Sequence, residues 1–327
     1  MEWDHLIRSR PQPIGSGRER FIGFGGYNIL LDDGSLAFED REVTARISYI
    51  PYGTVHHFED LLYHYTNTSA LDSIISTSSL WLSRYSEMND PLEFIYAWKL
   101  LERRVQHFAN KQGNDISIDL LEQYRPHLTK SNYFVASFSC YGDSLHQWRA
   151  YAGKKGVSIG ISKSLFDLRR RGISTDLHVT DVNYDIEDQK STIDKIALDI
   201  LKTGTISNNS FWTSKQLEKT KEDFHSVAIT FKQPGYHHEQ ETRVYCKADS
   251  REVLTRRRHD GKQVQYVILD FFGLFLASEE CDILFDTIGV APSPHTLKSI
   301  KRVESVFRRY KIKYREIIAS AHKYNWK

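Results

Sequence analysis

The sequence predicts an α+β fold, and three observations carry that expectation. Strand-like runs are short, rich in β-branched and aromatic residues, and bounded by turn residues. Helical patterns fall between them irregularly, without the repeated strand–helix alternation of a doubly wound parallel sheet. Histidine, serine and acidic motifs also sit on separate strand-like segments far apart in the chain, so any shared site is assembled by folding.

Residues 1–57 read as a distinct N-terminal extension, and 58–327 as the main domain. The stretch from Arg8 to Arg18 is basic and rich in Pro, Gly and Ser. Tyr27–Leu31 and Ser35–Phe38 flank Asp32-Asp33-Gly34, a hairpin signature, and Thr44–Ile50 supplies another strand. Gly23-Phe24-Gly25-Gly26 lacks the spacing of a phosphate-binding loop and reads as a turn.

Leu62-Tyr63-His64-Tyr65-Thr66 reads as a strand ending just before a helix, with N-cap candidates from Thr66 to Ser69 and Leu71, Ile74 and Ile75 at helical spacing. Leu80-Trp81-Leu82 is a short strand. In Asn89-Asp90-Pro91-Leu92-Glu93, Asp90 is the expected N-cap, Pro91 the first helical residue and Glu93 the closing member of a capping box. Tyr133–Ser139 reads as a buried strand, Ser144–Tyr151 as a short helix and Gly156–Ile161 as a strand. Val179–Tyr184 reads as another strand. Long polar helices fit 188–203 and 212–231. Strands at Thr242–Cys246 and Val264–Asp270 precede a final strand (Thr287–Val290), helix (Pro294–Tyr310) and strand (Lys313–Arg315).

Bulk properties exclude several classes. The chain has 327 residues, 40% of them hydrophobic and 26% charged, ordinary values for a globular protein with a sizeable core. Its net charge of +2 makes it no polycation. Cys140, Cys246 and Cys281 show no C-x-x-C spacing, so neither a disulfide framework nor a zinc site is indicated, and a reducing cytoplasm is the expected location. His56-His57 and His237-His238 lack metal-ligand spacing. The opening residues have no apolar run behind a basic end, so no secretory leader is expected. Val264–Leu276 is interrupted by Asp270 and Gly273 and falls short of the ~20 apolar residues of a membrane span.

The chemistry-bearing candidates are His64 and the segment Gly235-Tyr236-His237-His238-Glu239-Gln240-Glu241-Thr242-Arg243. Read as a strand, that segment sends Glu239 and Glu241 to one face. A histidine and a carboxylate pair suit nucleotide binding and stabilisation of a cationic transition state. Each also has an ordinary explanation: a core histidine, a solvated strand face, an arginine paired with a neighbouring glutamate.

Several segments agree in order with a known pattern. They are Leu62-Tyr63-His64-Tyr65-Thr66, Ser79-Leu80-Trp81-Leu82-Ser83, Met88-Asn89-Asp90-Pro91-Leu92-Glu93-Phe94, Gln147-Trp148-Arg149-Ala150-Tyr151, and Lys232-Gln233-Pro234-Gly235-Tyr236 leading into Glu239-x-Glu241-x-Arg243. Over roughly residues 61–320 the chain closely resembles the bacterial and phage-associated domain-of-unknown-function family 2971. Thr242 stands where that family usually carries tryptophan. The histidine, the serine-bearing middle strand and the E-x-E strand also resemble the three-motif site of the ADP-ribosyltransferase superfamily.

That second resemblance implies split antiparallel sheets flanked by helices, with NAD, consumed as a substrate, held between them. It implies that His64 contacts the adenosine-side ribose and that Ser137 or Ser139 holds the geometry or touches the nicotinamide-side ribose. Glu241 would bind the ribose 2′-hydroxyl and stabilise the oxocarbenium-like cation, with Glu239 orienting the acceptor. Tyr151, Trp148 and Tyr65 are the candidate stacking aromatics, and Arg149 and Arg243 the candidate pyrophosphate ligands. The implied function is a toxin or phage-defence effector that modifies nucleic acid or protein. An RNA 2′-phosphotransferase and a non-catalytic nucleotide- or nucleic-acid-binding module are the alternatives. Arg256, Arg257 and Arg258, and a basic C-terminal helix carrying Lys298, Lys301, Arg302, Arg308 and Arg309, are the candidate acceptor contacts, set against the simpler reading of solvated faces.

Overall fold

The computed structural model describes residues 28–30, 36–38, 46–49, 61–88, 91–112, 118–166, 177–205, 213–257, 261–271 and 284–322. It opens with β1 (Asn28–Leu30), β2 (Leu36–Phe38) and β3 (Arg46–Tyr49). β1 and β2 pair antiparallel, the hairpin that Asp32-Asp33-Gly34 predicts. β3 instead pairs in parallel with a strand near the other end of the chain. Then come β4 (Leu61–Asn67), α1 (Thr68–Thr77), β5 (Ser79–Arg84), α2 (Pro91–Gln112), α3 (Ile118–Leu128) and β6 (Tyr133–Ser139). A short helix α4 (Leu145–Gln147) runs on as a wide turn over Trp148–Ala152, followed by β7 (Gly156–Ser162) and β8 (His178–Asp181). Helices α5 (Ile186–Thr205) and α6 (Ser214–Ala228) precede β9 (Glu241–Lys247), β10 (Leu254–Arg257) and β11 (Gln263–Asp270). The last elements are β12 (Phe285–Val290), α7 (Thr296–Tyr310) and β13 (Tyr314–Ala319).

The architecture is α+β: a large, mostly antiparallel sheet flanked by helices. Its strand order is β10-β11-β5-β6-β4-β7-β12-β13-β3, with β9 and then β8 added on β6. Among the described residues, its parallel strand pairs join β13 to β12 and to β3. β6 is the branch point. One edge pairs along its whole length with β9, from Tyr133 opposite Lys247 to Ser139 opposite Glu241. Its other edge takes β5 at the start and β4 at the end, the latter through one residue pair, Tyr63 with Ser139.

Local sequence accounts for several boundaries. Strand β4 runs through His64 to Asn67, so His64 lies mid-strand rather than at its end. Asn67 caps α1, its side-chain oxygen accepting from the amides of Ser69 and Ala70 at 2.9 Å each. Ser78 closes the helix in the left-handed region at φ 48°. Helix α7 buries Ile300, Val303, Val306, Phe307 and Tyr310 and leaves Lys298, Lys301, Arg302, Arg308 and Arg309 exposed. The basic C-terminal helix is therefore an amphipathic element with a solvated charged face, and Arg309 pairs with Asp72 of α1. α3 and β10 carry no strong sequence signal of their own. Asp90 and Arg258 lie outside the described residues.

Strand alternation sorts the side chains onto two faces. Leu62, Leu82, Phe134, Phe138, Val244 and Ile288 join α1 and α7 in the first core. On the other face, Tyr133 and Val135 pack under α2, α3, α5 and α6 through Trp98, Leu101, Leu128, Ile193, Ala197, Phe224 and Ala228. A smaller cluster, Leu61, Tyr63, Tyr65, Trp148, Ala152 and Ala291, involves the alternate residues of β4.

His225 of α6 is 1% exposed. It stacks on Phe94 at 5.6 Å, with Tyr133 at 5.8 Å. Burial, reinforced by Lys221, pushes its imidazole down to about 4. A depressed folded-state pKa means that the unfolded chain takes up the proton first as pH falls. Stability held above pH 6.5 should therefore be lost between about 6.5 and 4, by about 3 kcal/mol from this group. Denaturant melts of wild type and His225→Phe across that range should show a flatter pH dependence in the variant; parallel curves would refute the assignment.

Candidate functional site: a buried charge cluster with one outer carboxylate

The E-x-E segment folds differently from a continuous strand. Pro234–Glu239 forms a 3-10 helix, Gln240 turns through the left-handed region at φ 43°, and β9 begins only at Glu241. Glu239 and Glu241 therefore converge through a turn rather than through strand alternation. The turn is tied down from two sides. Cys140 donates its amide to the Gln240 carbonyl at 3.1 Å. Ser139 Oγ and Gln147 Nε2 both donate to the Glu239 carbonyl, at 2.8 and 3.0 Å.

At the centre is Lys232, 3% exposed, on the segment between α6 and that 3-10 helix. Its Nζ meets Glu93 Oε1 at 2.9 Å, Glu239 Oε2 at 2.7 Å and Glu241 Oε2 at 2.8 Å. Arg243, fully buried on β9, donates Nε to Glu241 Oε1 and Nη1 to the Ile229 carbonyl, at 2.8 and 2.7 Å. Its Nη2 donates to both Glu93 and Glu241. Tyr184 Oη accepts the Glu241 amide at 3.0 Å. Glu93 thus belongs to the cluster, which corrects its expected place in a capping box: the carboxylate is turned inward to the two cations.

The electrostatics follow from this packing. Burial alone would raise the Glu241 carboxyl, but Arg243 and Lys232 outweigh it and bring the group down to about 2. Burial likewise opposes the Lys232 ammonium, and Glu241 and Glu93 overcompensate, so its pKa rises. Three carboxylates meet two cations, leaving one formal negative charge. Glu93 and Glu241 are the inner pair. Glu239 is the outermost of the three, with a side chain 12% exposed. Tyr151, 46% exposed, donates its hydroxyl to the Glu239 carboxylate at 3.1 Å to each oxygen. Tyr236, 39% exposed, places its ring 5.4 Å from Lys232 Nζ, and His146 stacks on His238 at 5.0 Å beside the same turn.

The predicted site residues therefore separate. Glu239, Glu241, Arg243, Ser139 and Tyr151 are brought together. Arg243 spends every guanidinium nitrogen inside the cluster, so the pyrophosphate contact expected of it has no donor. Trp148 is completely buried and donates to Asp143 at 2.6 Å. Tyr65 donates to the Tyr141 carbonyl and accepts the Ser144 amide. Both are packing residues, which leaves Tyr151 as the exposed aromatic of the three. Arg149 is exposed on the same short helix.

His64 does not join the cluster. It lies 5.6 Å from Phe138, on the face of the first core, and its Nδ1 hydrogen-bonds the Ser137 carbonyl at 3.1 Å. Burial lowers its pKa, opposed by the hydrogen bond to Ser137. Glu241, Arg243 and Ser139 occupy alternate positions on the opposite face. Among the described residues, no group of three or more His, Cys, Asp or Glu side chains is arranged to hold a metal ion, and no helix is long and apolar enough to cross a membrane.

Lys232 was not singled out by sequence, nor was Tyr184. Lys232→Met leaves three carboxylates against one cation and should cost about 3–5 kcal/mol at neutral pH. Glu93→Gln equalises the charges at two each and should cost less. The wild type should lose stability as pH falls from about 4.5 to 2, because the low Glu241 pKa favours the folded state only above that window. The Lys232→Met deficit should shrink over the same window as its carboxylates protonate. Urea melts at several pH values test all three; equal costs for the two variants would contradict the charge balance.

No curated protein and no solved structure matches the chain. Residues 147–244, the span that carries Tyr151, Lys232, Glu239, Glu241 and Arg243, match the family model described as protein of unknown function, DUF2971.

Proposed function

We propose that the chain is an NAD-consuming, ADP-ribosyltransferase-like enzyme in which Glu239, rather than Glu241, presents the working negative charge. The observation that carries this reading is the surplus carboxylate at the outer end of the buried cluster, beside an exposed tyrosine. Fixed charge aimed at a developing cation is the largest usual contribution to catalysis, and here it is oriented by Lys232 and Tyr151 before any ligand arrives.

In the proposed reaction the bond between nicotinamide and ribose breaks, its electron pair leaves with nicotinamide, and the Glu239 carboxylate stabilises the oxocarbenium-like carbon. An acceptor nucleophile then bonds to that carbon and gives up its proton to solvent. Tyr151 and Tyr236 offer aromatic faces for the planar leaving group. Glu241, Arg243, Glu93 and Lys232 act as positioning residues, and Ser139 fixes the Glu239 backbone. His64 has no part in this arrangement.

One observation favours a second reading, a non-catalytic nucleotide- or nucleic-acid-binding module. Glu241 and Arg243 satisfy each other so fully that the E-x-E segment is also explained as a structural core. An RNA 2′-phosphotransferase draws less support, because Arg243 faces its own carboxylates instead of an open cleft.

Incubation with NAD labelled in the nicotinamide ring should release nicotinamide, and Glu239→Gln should lower that release by about 100-fold or more. The amide keeps the size of the side chain and its contact with Tyr151. Equal release by wild type and variant would overturn the role of Glu239. NAD binding by calorimetry without any release would establish the binding module instead.

A further inference from the structure

Helix α7 turns its apolar side into the first core and its cations to solvent. Ile300, Val303, Val306, Phe307 and Tyr310 are buried. The exposed positions, set by the helical period, are Lys298, Lys301, Arg302, Arg308 and Arg309, with Leu297 and Ser305 among them. The helix's one carboxylate, Glu304, is half-buried at the margin of that face. Arg309 pairs with Asp72, the one carboxylate of α1. Among the described residues, no salt bridge engages Lys298, Lys301, Arg302 or Arg308. The whole chain carries a net charge of only +2, so this face is a local concentration of charge.

Nothing within the helix calls for cations at its start. The first turn holds no acidic residue, and His295 supplies no side-chain cap. Lys298 stands where the helix dipole disfavours a cation. It also lies three and four positions from Lys301 and Arg302, spacings at which like charges repel. Arg308 and Arg309, in the last turn, are placed as the dipole favours. The face lacks the marks of two other kinds of partner. A membrane-binding helix needs its apolar side free to insert, and here that side is committed to the core. A protein interface has an apolar or aromatic centre and few lysines, whereas this face offers only Leu297, at one end. No exposed position of α7 is aromatic, so unpaired bases find no stacking surface there.

The cations form two groups. Lys298, Lys301 and Arg302 centre about eight residues before Arg308 and Arg309, a separation of roughly 12 Å along the helix axis. That matches the ~12 Å width of the major groove of B-form DNA, which is bordered by phosphates on both sides. The major groove of an A-form RNA duplex is narrow and deep. We infer that the exposed face of α7 lies across the major groove of double-stranded DNA, with one group of cations on each phosphate edge. Binding is electrostatic and reads no sequence. It is independent of the NAD reading, since it involves no residue of the buried cluster.

The test is fluorescence anisotropy of the full-length protein, without NAD, on a fluorescein-labelled DNA duplex of mixed sequence. The matching RNA duplex, the single DNA strand and phosphatidylserine vesicles form separate arms. The DNA duplex should bind most tightly, and its affinity should fall steeply with added salt. The double variant Lys301→Ala/Arg302→Ala should weaken binding about tenfold or more and make the plot of log affinity against log salt shallower by about two. Arg308→Ala should make it shallower by about one, whereas Lys202→Ala, exposed on α5, should leave it unchanged. Thermal melts should match the wild type for every variant, because all the substituted side chains are exposed. Equal slopes for the wild type and the double variant would overturn the inference. So would tighter binding to the RNA duplex or the single strand, or binding to vesicles without binding to DNA.

Discussion

The arrangement of Lys232 and Arg243 among Glu93, Glu239 and Glu241 is the constraint on which the rest of this structure depends. Removing five ionised groups from water is costly, and their mutual attraction offsets that cost only where the geometry is good and remaining donors are satisfied. Here each condition is met by a different element. α2 supplies Glu93, the segment after α6 supplies Lys232, the 3-10 turn supplies Glu239, and β9 supplies Glu241 and Arg243. The Ile229 carbonyl takes the remaining arginine nitrogen. Glu93 of α2 and the 232–243 stretch, well over a hundred residues apart, are held in one register by charge, which explains why a polar cluster is tolerated against the second hydrophobic core.

A cluster of this kind has an inside and an outside. Three carboxylates share two cations, and Glu239, where the chain turns toward solvent, is the outermost of the three. A fixed anion beside exposed aromatic rings is a different object from a carboxylate on a strand face. It is preoriented by Lys232 and Tyr151, and a ligand meeting it need not reorganise the protein. The same logic separates His64 from the site. Half-buried and bonded to the Ser137 carbonyl, it helps to join β4 to β6 where their ladder is only one residue pair long.

Much of the fold was legible because periodicity and end signals are local. The Asn67 cap, the buried stripe of α7 and the Tyr133–Ser139 strand follow from neighbouring residues. Part of the site was legible too: Glu239, Glu241, Arg243 and Tyr151 stand in recognisable segments. Glu93 was misread because Asp-Pro-x-Glu is a sufficient local explanation for a glutamate in a first helical turn. Lys232 carries no signal in the sequence, because a single lysine tells nothing until its three carboxylate partners are in view. The exposure of Trp81 is not legible in its short strand, because strand alternation tells which residues share a face, not which face is covered.

The sequence by itself determined the α+β class, most of the helices and strands, and the set of residue types available for chemistry, since these depend on interactions within a few residues. Tertiary structure alone decided that β6 branches between two ladders, that the two glutamates meet through a turn, and that His64 and Glu241 stand on opposite faces. It also decided that Trp81 stands exposed on its strand. The physical reason is common to all four. Burial and charge compensation are set by partners far away in the chain, 150 positions for Glu93 and Arg243, and no local pattern encodes which of those partners arrives.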